Sequence, residues 1–170
     1  SVGVSQETLQ PWMVIDAQGE TSGFISDQPL PRPLTPSLEP QDRERIIVGP
    51  QSHLILGNDA GFRLWCPERS QVHLLMPYQN GLKLNKGIIK LEQPMSEQDY
   101  LVEVPHGVIV SKEAHYIVLR RQDRAAILKV DQGQVVVQQG NRQHPVKEPQ
   151  KVIIDQHGVR VIDEPLLEKS

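Results

Sequence analysis

The side chains able to do chemistry in this sequence are few and dispersed. Six histidines, His53, His73, His106, His115, His144 and His157, are the obvious metal-ligand candidates. A local metal motif places two donors a few residues apart, on one turn or strand end, and no two of these histidines are so spaced. His53 and His73 fall in alternating segments that a stacked fold would bring together; surface or hydrogen-bonded histidines without a metal are the plainer reading. The single cysteine, Cys66, precedes Pro67 with no glycine frame and no neighbouring base, so it reads as a small core filler and not as a nucleophile. Asp16, Asp59, Glu92, Asp99, Glu103, Asp123, Asp131 and Asp155 sit mostly at turns, where carboxylates cap backbone amides, and nothing singles out two of them as an acid and base pair. "GNDAG" lacks the lysine and following helix of a phosphate-cradling loop, so no cofactor is expected.

Contact chemistry is what remains. Arg120, Arg121 and Arg124 surround Asp123 in "LRRQDRAA", which suits either a partner-binding patch or a solvated hairpin end with local ion pairs. Trp65, Tyr78 and Tyr116 are candidates for stacking on a sugar ring, with core packing as the competing use.

The 170 residues carry 23% charged side chains and a formal net charge of −3, so no basic field exists to attract nucleic acid. No apolar run reaches the roughly 18 residues needed to cross a bilayer, and "SVGVSQETLQ" lacks the basic and apolar regions of a signal peptide. A native membrane anchor stays possible. One cysteine excludes an internal disulfide and leaves the compartment open.

The elements that must position these residues are strands. From Arg45 onward apolar residues alternate with polar ones in "RIIVG", "HLILG", "FRLW", "QVHLLM", "HYIVLRR" and "KVIID", and "NDAG", "YQNG", "VPHG" and "DQHG" supply turns. The sequence predicts an all-β protein. Five prolines from Pro29 to Pro40 exclude a helix there and predict a strap without regular structure, in which Leu30, Leu34 or Leu38 touches the domain. Ahead of it, Trp12, Val14 and Ile15 predict a strand.

One phrase recurs. "LKLNKGIIKL" and "LKVDQGQVVV" share apolar and glycine positions, "VEVPHGVIV" repeats the offsets, and "VIIDQHGVRV" repeats them with the glycine one place late. Each is expected to be a strand, a glycine turn and a second strand, with the units stacked like a β-solenoid and Leu84, Val104 and Val130 inside. A β-sandwich of ordinary hairpins is the alternative.

Taken together, these segments resemble the FecR protein domain, named for the iron-dicitrate sensor of bacterial envelopes. "RIIVGPQSHLILGNDAGFRLW" is similar to the opening strands of that domain, "VHLLMPYQNGLKLNKGIIKLE" and "AAILKVDQGQVVVQ" to its glycine-centred core, and "VKEPQKVIIDQHGV" to its closing turn and strand. The likeness spans residues 38–162. It implies a β-solenoid-like fold, a place outside the cytoplasmic membrane such as the periplasm, and non-enzymatic protein contact in signalling or scaffolding.

The expected organisation is an N-terminal strand and strap over residues 1–40, a FecR-like domain over 41–164 and a tail over 165–170. Carbohydrate or cell-wall binding is the second expectation, and a hydrolase with a hidden carboxylate pair the third. For a protein partner, the last strand of the stack, with Val159 and Val161, is the expected open edge.

Overall fold

The computed structural model of the protein describes residues 12–163; the expected tail over 165–170 lies outside them. Alternate side chains are buried along most of this span, and fifteen strands form among the described residues. They are β1 (Met13–Gln18), β2 (Thr21–Phe24), β3 (Arg32–Pro33), β4 (Arg45–Val48), β5 (His53–Gly57), β6 (Arg63–Cys66), β7 (Gln71–Leu74) and β8 (Gly81–Gln93). The second half adds β9 (Tyr100–Val104), β10 (Gly107–Ser111), β11 (Ala114–Arg120), β12 (Ala126–Gln139), β13 (Arg142–Lys147), β14 (Lys151–Asp155) and β15 (Gly158–Val161). The fold is all-β, with no helix among the described residues.

Two ladders share these strands. Sheet I runs β1-β5-β6-β8-β11-β12-β14-β15. Sheet II runs β3-β2-β4-β7-β8-β9-β10-β12-β13. Pairing is antiparallel except between β8 and β9. Apart from β3, each sheet grows in chain order, and the inner faces of both feed one hydrophobic cluster that holds Leu54, Leu84, Val104, Val130 and Ile154.

β8 and β12 belong to both sheets, and here the repeated phrase departs from expectation. Gly87 and Gly133 do not close hairpins; they sit inside long strands with φ of 85° and 84°, where the strand leaves one sheet and enters the other. Close packing enforces glycine at both: an added Cβ would lie 3.0 Å from Ser70 Cα at Gly87 and 2.7 Å from the Glu113 carbonyl oxygen at Gly133. Gly107 and Gly158 do follow two-residue hairpin loops, joining β9 to β10 and β14 to β15. The phrase therefore folds in two ways, a kinked strand twice and a hairpin twice.

Gly133→Ala should accordingly lose more stability than Gly61→Ala. Both adopt positive φ, which costs an L-residue about 1–2 kcal/mol, but Gly61 has open space around a Cβ and Gly133 does not. Urea denaturation of the two variants measures the difference. Equal losses would mean that the Glu113 backbone yields freely.

The strap is tied down. Leu34 is buried in the core, Leu38 packs against it, and Leu30 is exposed. The Val14 amide donates to the Leu38 carbonyl at 2.8 Å and the Ser37 amide to the Val14 carbonyl at 2.9 Å, so the strap covers the outer edge of β1. The strap also holds regular structure that the prolines argue against: Arg32 and Pro33 form the short β3 beside β2. Trp12, Phe62 and Tyr100 close the same end, with Trp12 and Phe62 ring centroids 4.5 Å apart in an edge-on contact.

Candidate functional site

Cross-strand neighbours on the outer face of sheet I form two rows. One runs Ile55, Trp65, Lys90, Ile117, Lys129, Lys151 from β5 to β14. The next runs Ile88, Leu119, Ile127, Ile153, Arg160 from β8 to β15. Their chain neighbours Leu54, Leu64, Ile89, Val118, Leu128 and Val152 fill the core. The outer rows thus carry large apolar side chains, interspersed with lysines, on a face over which no further layer lies among the described residues. Ile55, Trp65, Ile88, Ile117, Leu119 and Ile153 are partly exposed, and Ile127 is enclosed by its neighbours. Clustered, partly exposed apolar side chains rimmed by charged ones are a feature of interaction sites in soluble proteins.

Between Trp65, Ile88, Ile117 and His53 the face dips into a shallow, mainly apolar pocket of about 380 Å³. The Lys90 ammonium stands 5.2 Å from the centre of the Trp65 ring and 3.8 Å from Glu92. At the rim, His53 Nε2 and Asp16 Oδ2 are 2.8 Å apart.

The far edge of sheet I is β15, with no strand on its other side among the described residues. Val159 packs against the core, whereas Val161 is 65% exposed. Asp155 anchors the hairpin: its carboxylate accepts from the His157 amide at 2.8 Å and from Arg160 Nη2 at 2.6 Å. The amide bond first, and then Arg160, hold that carboxyl below its usual range against the opposing effect of burial. This anchor works above the ordinary carboxylate pKa and is lost as pH falls through the lowered value. The corresponding edge of sheet II, β13, carries Pro145, which blocks strand addition.

No family model matches this chain, and no curated protein does. The fold is similar to two crystal structures of a candidate anti-sigma factor from Parabacteroides distasonis, with a TM-score of 0.59 to each. Sequence identity is 12% and 13%, over 71% of this chain and 59% of that one. The chain thus spans about three fifths of the length of that protein. Likeness at this identity shows a shared fold.

The residues singled out in the sequence are scattered over the molecule. Arg120 donates through Nη1 to the Leu84 carbonyl at 3.1 Å, Arg121 pairs with Asp123 at 3.0 Å, and Arg124 sits exposed in the intervening turn at φ 73°. Tyr116 is fully buried, and burial pushes its hydroxyl pKa up. A ring inside the core cannot stack on a ligand, which corrects its reading as a platform. Tyr78 is 80% exposed on the loop after β7, with the Arg43 guanidinium 5.7 Å from its ring centre.

His53 lies in sheet I and His73 in sheet II, so the two do not stack. Among the described residues no three His, Cys, Asp or Glu side chains converge as metal ligands. Cys66 is enclosed, and burial pushes its thiol to about 12. A thiol reagent should label it only in denaturant; prompt labelling of the native protein would contradict that enclosure.

The apolar outer face was missed as a unit in the sequence, although a signal existed. "LIL", "YIVL", "AAIL" and "VII" are runs in which both strand faces are apolar, the pattern of a sheet covered on both sides.

Proposed function

We propose that this chain is a non-enzymatic regulatory module that works by protein contact in bacterial signalling, and that it docks a protein partner on the outer face of sheet I around Trp65 and Ile117. The observation that carries this reading is the group of partly exposed Ile55, Trp65, Ile88, Ile117, Leu119 and Ile153 on a sheet face that no other element covers among the described residues. The fold shared with a candidate anti-sigma factor supports a regulatory class. The FecR-like segment order supports a site of action outside the cytoplasmic membrane. Sugar stacking is less well supported, because the Trp65 ring shares its surroundings with the Lys90 ammonium instead of presenting a bare face.

Photo-crosslinking inside the host bacterium tests this. A benzophenone side chain placed at Ile55 or Ile117 should capture one protein species that the same group at Gln143, exposed on β13 away from that face, does not. Ile117→Asp should abolish that capture while leaving the thermal midpoint within a few degrees. Identical products from Gln143 and from the sheet I positions, or none from sheet I, would overturn the reading. Fusion to a reporter enzyme that folds only after export checks the compartment: activity is expected, and a silent, stable fusion would remove the envelope assignment.

A further inference from the structure

A second surface, on the opposite sheet, has its own chemistry. Arg45 on β4, His73 on β7 and Lys83 on β8 are successive cross-strand partners on the outer face of sheet II. Such neighbours lie roughly 5 Å apart, and like charges so placed destabilise a sheet. Arg43 joins them from the preceding turn, at φ 57°, a left-handed backbone that an arginine adopts at a cost. Among the described residues neither Arg43, Arg45 nor Lys83 has an ion-pair partner.

The two guanidinium groups are held by aromatic rings. Arg45 lies 5.4 Å from the centre of the Phe24 ring and Arg43 5.7 Å from that of Tyr78. Stacking orients a guanidinium through its face and leaves its N–H edges for a carboxylate or phosphate. His73 Nε2 lies 3.0 Å from the Arg43 carbonyl oxygen, to which it donates. Burial lowers the His73 pKa, the bond to Arg43 opposes this, and the charges of Arg43, Arg45 and Lys83 add to the lowering. Phe24, Ser26, Gln28, Arg43, Arg45 and His73 line an open cleft of about 470 Å³. Asp27 also lines it, and Glu103 lies across from Lys83 on β9.

We propose that this cleft binds a short acidic segment of a protein partner, whose carboxylates take the free edges of Arg43 and Arg45 and the ammonium of Lys83. The inference rests on the reading of the chain as a protein-contact module and assigns a second, electrostatic contact on the face opposite the apolar one. A short segment fits better than a long polyanion. The chain as a whole carries −3, so a nucleic acid or an anionic membrane is repelled beyond the cluster, whereas a few carboxylates meet only the local positive field.

Amide-detected NMR titration of the protein with an acetylated hexaglutamate peptide tests it. Shifts should concentrate at Arg43, Arg45, His73 and Lys83 and weaken as salt rises. Arg45→Glu should reduce affinity about tenfold or more, and Lys83→Glu likewise, while Trp65→Asp on the opposite face leaves it unchanged. The intact fold of each variant is read from the same spectra, and Arg45→Gln, which removes charge without reversing it, covers a variant that misfolds. Peptide shifts spread evenly over the surface, or saturation by inorganic phosphate or phosphatidylglycerol vesicles but not by the peptide, would overturn the proposal. Since Trp65→Asp and Ile117→Asp report on the apolar face alone, failure here leaves the outcome of the crosslinking experiment independent.

Discussion

Arg32→Met is expected to cost about 3–5 kcal/mol of unfolding free energy. Glu44 is fully buried and accepts three hydrogen bonds: from Arg32 Nε at 2.9 Å, from Arg32 Nη2 at 2.7 Å and from the Gln41 amide at 2.7 Å. Gly23 makes room for that carboxylate, since a Cβ there would overlap Glu44 Oε2. The hydrogen bonds to Glu44 raise the Arg32 pKa, against a smaller effect of desolvation. Removing the guanidinium leaves an enclosed charge with one donor, which is far more costly than loss of a surface pair. The double variant Arg32→Met, Glu44→Leu should recover part of the loss, because it removes both charges. Urea midpoints of the single and double variants decide. A single-variant loss below about 1 kcal/mol, the value of an exposed pair, would show that water reaches Glu44 and that the clamp is superficial.

This clamp also makes the strap part of the fold. Arg32 Nη2 donates to the Glu39 carbonyl at 3.0 Å, the Leu34 amide donates to the Thr21 carbonyl at 2.9 Å, and Leu34 is in the core. Deleting residues 1–40 would expose the edge of β1's partner β5 together with Leu54 and Leu56, so the denaturation midpoint should fall sharply.

Leu84→Ala is the second large effect, about 2–5 kcal/mol. Leu84 has no exposed surface, faces Val72 across the β7–β8 ladder, and lies just before the Gly87 kink where β8 changes sheets. The backbone on either side is held in two different ladders, so the cavity has little freedom to collapse, and values near the upper end follow. Val161→Ala serves as the control, since that side chain is 65% exposed and should change stability by no more than about 0.5 kcal/mol. Similar losses at the two positions in thermal or chemical unfolding would contradict the single cluster that joins both sheets.

Much of the architecture is legible in the amino-acid order because period two is a local property. The alternation in "RIIV" and "QVHL" is visible residue by residue, and it becomes β4 and β7 with Ile46, Val48, Val72 and Leu74 inside. The proline run excludes a helix on the same local ground, since each ring removes an amide donor. Leucines spaced between those prolines signal packing, and Leu34 and Leu38 deliver it.

What the sequence leaves open is set by partners distant along the chain. The apolar and glycine pattern of "LKLNKGIIKL" and "VEVPHGVIV" is the same, yet one is a kinked strand and the other a hairpin, because the kink at Gly87 is imposed by packing against Arg69 and Ser70. Glu44, in the charged run "DRER", reads as surface until Arg32 and Gly23 are brought beside it. Tyr116 and Trp65 occupy similar alternating strands, but one ring fills the core and the other borders an open pocket. Alternation separates the two faces of a strand; where both are apolar, as in "YIVL", it does not say which is inside. Only the second sheet, by covering one face of the first, makes that choice. The cation cluster at Arg45, His73 and Lys83 arises in the same way, from three strands whose register no local pattern encodes.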